Sequence, residues 1–220
     1  MKFDLHLHTH YSSDALTKPS TLVKELKAKG LGGFAITEHN NCDSWKELEA
    51  LSKKEGLIFV KGEEIKVVEA RRSAGEIIGL FMNQEIKPAT SDEIFDSLKQ
   101  QGAIAVIAHP FDFLRHNFKD LKKAKERANA IEVFNSRCVV GSFNRKAKEF
   151  AEKNNLPFTA GSDGHHPREV GQSFVECNVQ NSEALRKAIL GKKVTVGGGL
   201  SSPLVHCYTT LSKLGLMKPI

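Results

Sequence analysis

Short apolar runs alternate with longer stretches of helical spacing along most of this chain, and that alternation limits the folds open to it. Phe3–Leu7, Gly33–Thr37, Leu57–Val60, Glu76–Phe81, Ile104–Ala108, Ala130–Phe134, Pro157–Ala160 and Phe174–Cys177 read as strands. Between them, Ser20–Lys29, Ser44–Glu55, Ser91–Gln101, Asp120–Ala128, Ser142–Asn154 and Ser182–Leu190 place apolar residues three and four apart, as a one-sided helix does. Ser20 and Ser91 stand where N-caps are expected, and Gly30 and Gly56 where helices stop. Strand–helix repetition argues for a parallel sheet covered by helices. About seven such units suggest a closed or nearly closed barrel, with an open doubly wound sheet as the alternative. No glycine-rich dinucleotide fingerprint follows the first strand. The 220 residues suffice for one such domain. We expect residues 1–193 to form it, and residues 194–220, with GGGLSSP inside, to be a tail packed on the barrel with no readable role.

Composition excludes more than it selects. Hydrophobic residues make up 40% and charged residues 26%, an ordinary globular mixture. The net charge of +6 suits anionic substrates or nucleic acid without choosing between them. Lys119–Arg127 mixes signs like a solvated helix face. Cys42, Cys138, Cys177 and Cys207 make no CxxC pair and no disulfide framework, so reduced, mostly buried thiols are expected. MKFDLHLH does not read as a signal peptide, and no apolar run approaches a membrane span. The cytoplasm is the expected location.

The informative polar residues cluster at strand ends, where a parallel barrel builds its active site. His6 and His8 end the first strand, Glu38 and His39 the second, and Glu63 and Glu64 follow the third. His109 and Asn135 end two later strands, and Asp163 and His165 follow another. Residues two apart on a strand share a face, so His6 and His8 can serve one ion. Mixed imidazole and carboxylate donors suit zinc, manganese or iron.

Taken together these segments resemble the PHP (polymerase and histidinol phosphatase) family. DLHLHTHYSSDA, ITEHN, GEE, AHP and GSDGHHP look like its five motifs in order, spanning about Lys2 to Cys177. The resemblance implies an α/β fold, a distorted (β/α)7 TIM-like barrel, holding two or three divalent ions. It implies that His6, His8, Glu64 and Asp163 hold the first ion. Glu64 bridges to a second with His109, and Asp14, His39 and His165 hold a third. Glu63 is then expected to face the outer layer. Two positions depart from the family pattern. Glu76 and Asn135 stand where members often carry histidines. As additional ligands they would shift preference towards harder ions such as manganese or magnesium.

The implied activity is hydrolysis of a phosphate ester by metal-activated water. The expected catalytic residues are Glu64, His109 and His166, the last as an acid for the leaving alkoxide. Arg115, Arg137 and Arg168 lie past strand ends and are candidates to clamp phosphate, because guanidinium matches its oxygens pairwise. His10 is expected to face solvent, and His116 and His206 have no motif support. The expected substrate is a small phosphorylated molecule. Alternatives are a nuclease acting on nucleic-acid ends and a non-catalytic subunit. An amidohydrolase would want a strand-end lysine as a metal bridge, which Lys61 fits poorly. No feature indicates a membrane partner or an oligomeric state.

Overall fold

The computed structural model describes residues 1–220. Its strands are β1 (Lys2–Asp4), β2 (Gly33–Ile36), β3 (Ile58–Glu69), β4 (Arg72–Leu80), β5 (Ile104–Ile107), β6 (Ala130–Asn135), β7 (Phe158–Gly161), β8 (Ser173–Glu176) and β9 (Thr195–Gly198). Its α-helices are α1 (Pro19–Ala28), α2 (Trp45–Glu55), α3 (Ser91–Gln100), α4 (Leu121–Arg127), α5 (Gly141–Lys153), α6 (Ser182–Leu190) and α7 (Val205–Lys213). No helix is long and apolar enough to cross a membrane.

The strands form one sheet in the order β7-β6-β5-β4-β3-β2-β1-β8-β9. The sheet curls until β1 meets β7. Lys2 and Phe3 pair with β8, but the chain just beyond β1 turns to the other neighbour. Leu5 N–H donates to Ala160 O at 3.2 Å, Asp163 N–H to His6 O at 2.7 Å, and His8 N–H to Gly164 O at 3.1 Å. These bonds bring the fold to a distorted, nearly closed barrel of seven strands, β1 to β7.

The sheet is mixed rather than wholly parallel. β4 runs antiparallel to both β3 and β5, and β8 and β9 are antiparallel additions. No helix separates β3 from β4, so a two-residue turn joins them. Its residues Ala70 and Arg71 both have positive φ, 47° and 65°. Hairpin turns of that hand usually carry Asn or Gly, so EARR gave no turn signal, and the second half of β3 was missed.

Alternation sorts the side chains. On the lumen face, Val60, Ile78, Leu80, Ile104 and Val106 form one buried cluster. On the opposite face, Phe34, Ile36, Ile65, Ile77 and Ile107 pack with Leu22, Leu26, Leu48, Ile94 and Leu98 of the helices. Glu64 and Glu76 share parity with Val60 and Ile78, so both enter the lumen. Glu63 points the other way, buried, accepting the Ile86 N–H at 2.9 Å.

Two caps differ from expectation. Thr90, not Ser91, caps α3 in a reciprocal capping box with Glu93. Lys18 holds the cap position of α1, with Pro19 rather than Ser20 opening the helix. Residues 194–220 contribute two further elements packed on the barrel. β9 continues the sheet as its edge strand, and α7 lies across the C-terminal end of the barrel.

Candidate metal centre

The lumen mouth gathers donors from separate strand ends. His6 Nε2 stands 3.4 Å from Glu64 Oε2 and 3.6 Å from Asp163 Oδ1. His8 Nε2 stands 3.5 and 3.4 Å from the same two oxygens. Hydrogen bonds span about 2.7–3.2 Å, so these contacts are too long for direct pairing. Donors about 2.0–2.2 Å from a shared ion at tetrahedral angles stand roughly 3.3–3.6 Å apart. His6 Nε2 and His8 Nε2 are buried and have no hydrogen-bond partner, as a ligand nitrogen awaiting an ion would be. The four residues therefore fit a divalent ion.

Glu64 reaches further. Its Oε1 lies 3.3 Å from His109 Nε2, which is 3.5 Å from Glu76 Oε2. Its Oε2 lies 3.1 Å from His39 Nδ1. Glu76 therefore sits within the donor set, sharing a cluster with His39 and Glu64. On the other flank, Asp14 Oδ1, buried and unpartnered, stands 3.6 Å from His39 Nε2 and 3.5 Å from His165 Nε2. The rings of His39 and His165 lie 4.4 and 4.3 Å from that of His8.

Outer residues aim these donors. His6 Nδ1 bonds Glu132 Oε1 at 2.8 Å, which turns Nε2 towards the centre. Glu132 Oε2 accepts the His109 N–H at 2.9 Å. His165 Nδ1 bonds Asp163 O at 2.8 Å, again turning Nε2 inward. Ser12 and Thr9 both donate to buried Glu38, which takes that carboxylate out of the donor set. Electrostatics follow from the crowding. Burial pushes the Glu64 carboxyl up, but the imidazoles of His6, His109 and His39 hold it well below the usual range. Burial also opposes ionisation of Asp163, and His6 and Arg115 overcome it. Burial and the neighbouring His165 and His39 keep His8 neutral, as a ligand must be. Burial and Glu64 raise Glu76 to about 7.

Several expected residues have other positions. Asn135 donates to Asp163 Oδ2 at 3.1 Å and Glu132 Oε2 at 3.0 Å, while its oxygen accepts from Arg115 and from Arg137 N–H. That leaves it no oxygen for an ion, so it steadies ligands instead. His166 is buried and is not among the residues that line the cavity; it stacks 4.5 Å from Tyr208, with Nδ1 accepting the Arg168 N–H. Arg168 is exposed and lines a separate small cavity of about 170 Å³. Lys61 pairs with Glu49 at 3.0 Å. His10 is exposed, as expected.

Arg115 and Arg137 do line the central cavity of about 640 Å³. Arg115 pairs with Asp112 and Asp163. Arg137 Nε lies 3.1 Å from Glu169, and its Nη2 donates to Thr209 on α7. The same cavity takes in Lys66, His116, His206 and Lys213. Lys66 was legible in principle, being two residues past Glu64 on one strand. His206 and Lys213 were not, because α7 has no motif.

Residues 4–145 match the sequence profile described as PHP domain, and residues 141–194 match one described as PHP-associated. An uncharacterized protein of Methanocaldococcus jannaschii is 35% identical over 191 residues, 83% of this chain and 73% of its own length. A probable phosphatase of Acetivibrio thermocellus is 28% identical over 202 residues, 78% of this chain and 83% of its own. The fold resembles a two-domain protein of Bacteroides vulgatus that contains a predicted PHP-like metal-dependent phosphoesterase. That likeness has a TM-score of 0.75 at 20% identity, over 96% of this chain and 69% of the other.

Proposed function

The chain belongs to the PHP domain family, and from that footing we propose that it is a metal-dependent phosphoesterase acting on a small phosphorylated molecule. The observation that carries this reading is the convergence of His6, His8, Glu64 and Asp163 at ion-sharing distances, with two buried nitrogens unpartnered. His109 and Glu76 around Glu64, and Asp14, His39 and His165 beside it, allow two or three ions, with manganese, zinc or iron the expected occupants.

A divalent ion held by His6, His8, Glu64 and Asp163 would supply Lewis-acid chemistry and would make water more acidic. The protein's own residues do the rest. Glu132 and the Asp163 carbonyl fix the tautomers of His6 and His165. Arg115 and Arg137, held by Asp112 and Glu169, present guanidinium groups to the phosphoryl oxygens. No Phe, Tyr or Trp lines the cavity. Binding of single-stranded nucleic acid usually relies on such rings for stacking, and this favours a small substrate over nucleic-acid ends. The intact donor set favours an enzyme over a non-catalytic subunit.

The test is hydrolysis of p-nitrophenyl phosphate and bis-p-nitrophenyl phosphate by metal-stripped protein with single metals added back. We expect metal-restored release, faster from the monoester. Faster release from the diester would move the reading to a phosphodiesterase or nuclease. No release from folded, metal-loaded protein would refute it for these esters.

A further inference from the structure

Resting on the phosphoesterase reading, we propose that the substrate carries a second oxyanion group besides the scissile phosphate, bound by Lys66 and Lys213 at the open end of the cavity. The cations of this cavity form two tiers. Arg115 and Arg137 are the inner tier, each committed to a buried carboxylate, Asp112 or Glu169. Lys66 and Lys213 are the outer tier. Lys66 projects from β3 on the same face as Glu64, is exposed, and forms no ion pair. Lys61 on the same strand shows the ordinary alternative, a surface pair with Glu49 at 3.0 Å. Lys213 comes from α7, has a 60% exposed side chain, and lies 3.2 Å from Asp14 Oδ2. That carboxylate's other oxygen faces His39 and His165 as a donor, so an ion bound there competes with Lys213 for its charge.

The remaining lining fits such a ligand. Leu114 is the one apolar residue among the 18 that line the cavity. His206, Thr209, Thr210 and Lys213 fall at i, i+3, i+4 and i+7, so α7 turns a polar stripe inward where a packed helix is usually apolar. A leaving group with a large apolar part would meet nothing suited to it. A compact one with a second anion meets the unpaired ammonium of Lys66 and that of Lys213, which shares Asp14 with the donor set. Residues 205–213, with Lys213, lie beyond both matched family segments, whereas Lys66 lies within the first, on the barrel itself.

Three ligands that cannot be hydrolysed at their C–P bonds test this in the manganese-loaded full chain by calorimetry: propylphosphonate, 3-phosphonopropionate and propane-1,3-diphosphonate. We expect at least one doubly anionic ligand to bind about tenfold tighter than propylphosphonate. Preference for the carboxylate or for the diphosphonate tells which oxyanion is read. Lys66→Met and Lys213→Met should each reduce that preference to about threefold, and Lys66→Arg should keep it. Equal binding of all three ligands, or a preference that neither methionine variant moves, would overturn the proposal. Because binding is read without turnover, a preserved preference in a protein that hydrolyses no phosphate ester would refute the phosphoesterase reading and leave the subsite standing.

Discussion

Two buried imidazole nitrogens, His6 Nε2 and His8 Nε2, lack any hydrogen-bond partner. Leaving such groups unsatisfied costs about 1–3 kcal/mol each, a cost that an ion would remove. Two further site residues hold uncommon backbone, Asp163 at φ 56° and His109 at φ 28°. Strain of that kind persists where surrounding contacts enforce it and is common at functional sites. His6→Ala or Asp163→Ala should therefore lower kcat for a phosphate monoester by roughly a thousandfold or more. Circular dichroism should show the fold retained. Asn135 acts one step removed, through its bonds to Asp163 and Glu132. Asn135→Ala should weaken metal affinity about 10–100-fold, read by competition with a fluorescent chelator, with kcat at saturating metal falling less.

At the scale of elements, the closure of β1 against β7 sets the site, since it brings His6 beside Asp163. Gly161 permits that approach. A Cβ there would lie 2.3 Å from His6 Cβ and 2.5 Å from His6 N. Gly161→Ala should destabilise the protein by about 1–3 kcal/mol in urea unfolding and depress activity by shifting His6. Gly199→Ala, which meets nothing within 4 Å, is the control and should change stability by less than about 0.5 kcal/mol. The regular elements were legible because their periodicity is strong, and α6 falls at Ser182–Leu190 as its spacing predicts. The β3–β4 hairpin was not legible, because Ala70 and Arg71 adopt a turn their residue types rarely take. The donors were readable as strand-end residues. The steadying role of Asn135 and the stacking of His166 on Tyr208 were not, because both depend on which atom faces which neighbour.

For the whole molecule, the site ties distant parts of the chain together. Donors come from His6 to His165, and α7 and the C-terminus are joined to the same rim. Ile220 N–H donates to Leu16 O at 2.7 Å, and Lys18 N–H to Ile220 O at 2.8 Å. Ions that bind the folded state alone should stabilise all of it, by about 2.7 kcal/mol at a hundred times the dissociation constant. Stripping metal should lower Tm, and adding manganese back should restore it, with a smaller rise in Asp163→Ala. The tail's role was hidden from sequence because it is one of contact, and GGGLSSP and the short helix after it carry no motif.

The most direct check on the central claim is the number of metal equivalents retained per chain after manganese loading and gel filtration, by plasma emission spectrometry. Two or three equivalents in the wild type, falling in both His6→Ala and Asp163→Ala, are predicted. Fewer than one equivalent in folded wild-type protein, or unchanged content in both variants, would contradict the claim that these strand-end residues form a metal centre.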